Sequence, residues 1–498
     1  MHPVLLSLTT LVAAIAITTA TAHANETPSP DRSILRVNVT SQPHNFALPW
    51  QKRPPGSKQG LGALLDGRRV LVTAELIQDA TYLEFEVASS GRKLTAQVAT
   101  VDYEANLALL IPKQDPEDFF DGLVPFPLSV TPPKNGDRFE VWQFEANGSP
   151  VTSSITFETA RLGRYFLDGS YFLQFDAMGA VNYRQGSFTL PVIHDGHLVG
   201  MLLSYNSDDQ VATILPFPII RAFLDDAADG DYAGFPSFGI KFSPTLDGQL
   251  RHYLKLTEPS GGIMITGVMP DTSASAAGLQ EGDVLLEIGG HALDSRGNYQ
   301  DPTWGLLAMG HLVKGGNTVG TKLPMKVSRD GNQIDLTLDL ARKTPKDFLV
   351  DPYVFDRGPR YLILGGLVFS ELTRTYLEAF GDGWRDRAPF EFVYAVQNPE
   401  KFARDGRKKL VFLAGALPSQ STLGYEGVRG AFIEKVNGRV INEITDLAAA
   451  LAHPTDGIHT IEIDEVPYTL YIDAALATED NENLLPQRYR ITQLERLE

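Results

Sequence analysis

The chain of 498 residues contains no cysteine, which excludes a disulfide framework, a thiolate metal centre and a cysteine nucleophile together. Positive charge is also scarce: 43 Lys and Arg stand against 61 Asp and Glu, for a net charge of -18. Nucleic-acid binding needs clustered basic residues, so that class of function is excluded. After Leu5 to Ala20 no apolar run is long enough to span a bilayer. The ten histidines include no His-x-x-x-His or His-Glu pair of the zinc-binding kind. His194 and His197 flank a hairpin turn, and Asp271, Asp283 and Asp301 do not converge in a calcium-loop pattern. No metal site and no cofactor is expected.

The apolar run Leu5 to Ala20 and the small-x-small triplet Ala22-His23-Ala24 have the form of a signal peptide cleaved after Ala24. The expected location is therefore periplasmic or extracellular, with residues 25–32 as a linker. A length of this order allows about three domains.

From Ser33 to about Thr213 the sequence runs in short alternating segments broken by Gly, Asn and Pro: SILRVNVT, RVLVTAEL, YLEFEVA, LTAQVATV, RFEVWQFE, YFLQFDA and HLVGMLLSY. With no long amphipathic helix between them, they predict all-β barrels rather than βαβ units. FPIIRAFLDDAADG, Phe217 to Gly230, has helical spacing and closes on a glycine.

Three segments carry a resemblance. DAMGAVNYRQGSFTLPVIHDGHLVG, Asp176 to Gly200, keeps an Asp-Ala opening, Asn182, Gly186, Pro191 and a Gly-x-x-Val-Gly hairpin. GRRVLVTAELIQDAT and VDYEANLALLIP precede it, and NFALPWQKRPPG leads in. Together they resemble the HtrA/Deg (Do-like) serine proteases, in the plant-type branch that carries two PDZ domains. In those segments the family's catalytic His, Asp and Ser correspond to Glu75, Asn106 and Phe188, while Thr189 and Leu190 stand where the family has glycines.

The resemblance implies a mainly β protein: a trypsin-like double barrel over 33–230, a first PDZ domain over 231–343, a second, atypical PDZ domain over 350–475, and a charged tail, 476–498, as an appendage. GGIMITGVMPDTSASAAGLQEGDVLLEIGGHAL supports the first PDZ unit, with Gly289-Gly290 suited to a hairpin needing positive φ. YLILGGLVFSELTRTYLEAFG and FIEKVNGRVI support the second, followed by the short helical pattern ITDLAAALAHP. Ser237, Phe238, Gly239 and Ile240 fall in the loop that, in PDZ domains, captures a peptide's terminal carboxylate. Arg407, Lys408 and Lys409 form a basic run expected in a solvated loop.

A phenylalanine supplies no nucleophile, and Asn106 carries no charge. The substitutions therefore predict no enzyme, but a secreted binder of unfolded or C-terminal peptides acting as chaperone, scaffold or regulator. One alternative is an active serine-type endopeptidase with a non-standard site, using Ser187 or another hydroxyl with Glu75 as base. Another is a structural platform, since the resemblance implies homo-oligomers, trimeric or larger.

Overall fold

The computed structural model describes residues 27–182, 189–256, 261–404 and 406–498. The leader and Phe188 lie outside them.

Six strands close the first barrel: β1 (Ile34–Ser41), β2 (Gly56–Leu65), β3 (Arg69–Val72), β4 (Ala80–Glu86), β5 (Lys93–Asp102) and β6 (Leu107–Pro112), in the order β1-β2-β3-β6-β5-β4. Alternation of Leu35, Val37 and Val39 with Arg36 and Asn38 turns one face of β1 inward. Small residues are needed where β2 crosses the interior. A Cβ on Gly62 would sit 2.3 Å from Val70 Cγ1.

A second barrel follows: β7 (Arg138–Phe144), β8 (Pro150–Arg164), β9 (Tyr171–Met178), β10 (Leu190–His194), β11 (His197–Asn206) and β12 (Val211–Pro216), ordered β10-β11-β12-β9-β8-β7. The segment read as helical from Phe217 forms the helix Phe217–Asp226, burying Phe217, Ile219, Ile220 and Phe223.

The first PDZ unit is a sheet with β13 (Ile240–Pro244) at its edge, then β14 (Ile263–Val268), β15 (Val284–Ile288), β16 (Lys322–Arg329) and β17 (Asn332–Asp339). Gly289 and Gly290 take φ of +60° and +81° in its hairpin, and Asn437 and Gly438 take +48° and +75° at the equivalent turn of the second unit. The second unit has two four-stranded sheets, one on Tyr361–Leu364 and Leu367–Glu371, the other on Ile433–Val436 and Ile458–Ile463.

The terminal segment is not an appendage. Glu495–Arg496 pairs antiparallel with Tyr361–Leu364, Leu485 and Ile491 are fully buried, and Asp480 accepts hydrogen bonds from Ser421. The segment's charged residues hid the few apolar ones that anchor it.

The units are joined by polar contacts. Arg342 Nη2 lies 3.0 Å from Asp102 Oδ2, the Asp102 side chain is fully buried, and Tyr232 donates its hydroxyl to the same oxygen at 2.8 Å. Asp79 and Asp356 exchange backbone-to-carboxylate hydrogen bonds of 2.9 Å, fastening the lead-in of the second PDZ unit to the first barrel. Asp168, on the β8–β9 loop, is gripped by Arg374, Arg385 and Arg164, and the hydrogen bond from Arg374 is the first cause holding its carboxyl down at about 2. No helix among the described residues is long and apolar enough to cross a membrane.

Candidate functional site

Two of the three positions matched to the family's triad meet at the first barrel. Glu75 opens the helix Ala74–Ile77, and Asn106 ends the turn before β6 with φ of +52°, a left-handed conformation that asparagine tolerates. Asn106 is almost wholly buried. Its Oδ1 accepts the Glu75 N–H at 2.9 Å, and its Nδ2 donates to Glu75 Oε2 at 3.4 Å. Burial raises the Glu75 carboxyl above its ordinary value, against smaller opposing effects from the Asn106 hydrogen bond and the charge of Lys58. Asn106 thus orients Glu75 as a carboxamide can orient a catalytic base, and the Oε1 oxygen accepts no hydrogen bond among the described residues.

The third position, Phe188, and its neighbour Ser187 lie outside the described residues. The next residue, Thr189, is buried and takes φ of +57°. That is a glycine-like conformation held by a β-branched residue, and such strain persists only where the surroundings fix it. The Thr189 hydroxyl donates to the Leu61 carbonyl and accepts the Leu61 N–H at 3.2 Å. Gly60 makes room for it: a Cβ there would meet Leu76 Cδ2 at 2.6 Å and Thr189 Oγ1 at 3.2 Å. No motif singles out Lys58, whose Nζ donates to the Glu75 carbonyl at 3.3 Å, or the Thr189–Leu61 tie. Both join β2 to residues outside it, Glu75 17 residues on and Thr189 128 residues on.

The second candidate site is the loop Ser237 to Ile240. Ser237 bridges to Ala341, the Phe238 carbonyl accepts Ala274 N–H at 3.1 Å, and the Gly239 carbonyl accepts Met269 N–H at 2.9 Å. Gly239 has φ of +84°, and a Cβ on it would lie 2.3 Å from Thr272 Cβ. Ile240 begins β13, an edge strand paired on one side only among the described residues, with Phe242 exposed. Such an edge can accept an added strand. Replacing Gly239 with Ala should weaken binding of a peptide with an apolar C-terminus to the full chain at least about tenfold, and amidating the peptide should do the same. Fluorescence anisotropy showing equal affinity in either comparison would remove carboxylate capture by this loop.

Among the described residues no group of three or more His, Asp and Glu could hold a metal ion. His194 Nδ1 contacts Arg138 O and His197 Nδ1 contacts Asp195 O, both at the β10–β11 turn.

Two closed six-stranded barrels followed by two PDZ units give the chain a mainly β, trypsin-like double-barrel fold with PDZ domains, similar to that of HtrA-type proteases. PDZ domain families match residues 237–299 and 350–495. The chain is 25% identical over 433 residues to Protease Do-like 2, chloroplastic, of Arabidopsis thaliana, covering 84% of this chain and 67% of that protein. It is 25% identical over 350 residues to Protease Do-like 4, mitochondrial, of the same plant, covering 70% and 66%. It is also 24% identical over 298 residues to the Periplasmic serine endoprotease DegP of Escherichia coli strain K12, covering 57% of each. Among solved structures, an HtrA-type protease with a decapeptide superposes with a TM-score of 0.50 at 17% identity, covering 63% of this chain and 95% of that one. These relatives are named proteases, which overturns the expectation, drawn from Glu75, Asn106 and Phe188, that the chain is no enzyme.

Proposed function

We propose that the chain is a serine-type endopeptidase of the HtrA/Deg kind with a non-standard site, fed with unfolded or C-terminal peptide by its PDZ units. The observation that carries this reading is the Glu75–Asn106 pair, a carboxylate with a raised pKa oriented by a buried carboxamide. In this mechanism the Ser187 hydroxyl attacks the scissile carbonyl carbon while Glu75 takes its proton. The amide C–N bond then breaks as Glu75 returns the proton to the leaving amine. Water, deprotonated by the same carboxylate, cleaves the acyl ester and restores Ser187. A raised pKa brings the carboxylate nearer to the operating pH than an unperturbed value of about 4 allows.

The same reading places the mature protein in the periplasm or outside the cell after removal of residues 1–24, working in protein quality control as a homo-oligomer, trimeric or larger. The wild-type chain should cleave unfolded casein, and Ser187→Ala should lower the rate at least about thousandfold. Cleavage by Ser187→Ala at the wild-type rate would remove Ser187 from the mechanism, and no cleavage by wild type would remove the activity.

A further inference from the structure

In the basic run Arg407-Lys408-Lys409, expected in a solvated loop, Lys408 is solvent-exposed but its two neighbours are not. Lys409 is buried, its ammonium held by the carbonyls of Lys346 and Phe348 and by Asp351, and the Arg407 side chain is only 8% exposed. Arg407 and Lys408 border a cavity of about 590 Å³ at the seam between the two PDZ units. Five cations line it: Lys343 and Lys346 from the connecting segment, and Arg404, Arg407 and Lys408 from the second unit.

Their charge is only partly answered. Arg404 and Arg407 share one carboxylate, Glu434, and Lys408 shares Glu443 with Arg360. Lys343 donates to the Pro270 carbonyl at 2.9 Å and, like Lys346, forms no ion pair among the described residues. The lining carboxylates are Asp271 and Asp347, and Asp347 is engaged by the backbone and hydroxyl of Thr344. The Nε atoms of Arg404 and Arg407 are buried without a hydrogen-bond partner. Unpartnered buried donors are costly, and guanidinium groups match the oxygens of phosphate and carboxylate. An excess of positive charge around this cavity, in a chain of net charge -18, calls for an anionic occupant.

We infer that this cavity binds a small polyanion, a molecule with closely spaced phosphate or carboxylate groups, between the connecting segment and the second PDZ unit. Such an occupant ties Lys343 and Lys346 to Arg404, Arg407 and Lys408, and so stiffens the joint between the two PDZ units. Met269, which also lines the cavity, donates its N–H to Gly239 O, so the occupant rests directly behind the proposed carboxylate-capture loop.

Isothermal titration of the full chain at low ionic strength, with inorganic tripolyphosphate and separately with citrate, tests the assignment. At least one probe should bind at one per chain. Lys343→Gln with Lys346→Gln should weaken it at least about tenfold, whereas Lys322→Gln with Lys326→Gln, a pair outside the cavity, should leave it within about twofold. Because Lys346 is exposed, Lys346→Glu alone provides a fold-sparing variant that should also lose about tenfold. Preference for tripolyphosphate marks a phosphate-bearing ligand, and preference for citrate a polycarboxylate. Binding of neither probe, or equal losses in the cavity and remote pairs, overturns the proposal.

Discussion

Replacing Asp102 with Ala should destabilise the chain by about 3–5 kcal/mol, read as a fall in the denaturant midpoint of the first cooperative transition. Arg342 would keep its burial and lose its counter-charge, because its guanidinium faces the fully buried Asp102 carboxylate at 3.0 Å. Tyr232 would lose the acceptor of its 2.8 Å hydrogen bond, and Ala105 N–H the acceptor of its 2.9 Å bond. An exposed ion pair would give about 1 kcal/mol or less. Changing Arg342 to Leu in the Asp102→Ala background should recover part of the loss, since the stranded charge is the main cost. A midpoint unchanged by Asp102→Ala would show that the contact between barrel and PDZ unit does not bear on stability.

The second large effect concerns Glu75. Glu75→Gln preserves size and can keep a hydrogen bond to Asn106, yet cannot take a proton from a hydroxyl. It should lower kcat/KM for a peptide substrate by about two to four orders of magnitude. The pH dependence supplies a sharper signature. A base works in its ionised form, so wild-type activity is present above the Glu75 pKa and lost as pH falls through it. Burial raises that pKa, so the acid limb should lie above the ordinary carboxylate range. In Glu75→Gln the limb should vanish from the residual rate. A variant within a few fold of wild type, with the limb intact, would assign it to another group.

The double barrel was legible because its strands are local patterns: β1 alternates residue by residue, and the turns carry their own glycines. Glu75 and Asn106 could be located from the motifs around them, and the structure brings them into hydrogen-bond contact. What escaped reading depends on contacts distant in sequence. Thr189 looked like a misplaced side chain in a glycine turn, yet it adopts the glycine-like φ because its hydroxyl is tied to Leu61, 128 residues earlier. Lys409 looked like a surface charge, and its partner Asp351 lies 58 residues away. The terminal strand Glu495–Arg496 has no alternation to betray it and is defined only by Tyr361–Leu364 beside it. Neither composition nor periodicity encodes such pairings.

The most direct measurement is exposure of the purified chain to a fluorophosphonate probe in the presence of unfolded casein, followed by peptide mapping of the modified residue. Stoichiometric labelling at Ser187 is expected, disappearing in Ser187→Ala and weakening in Glu75→Gln. An unlabelled chain, or a label on a different residue that persists in Ser187→Ala, would contradict the proposed mechanism.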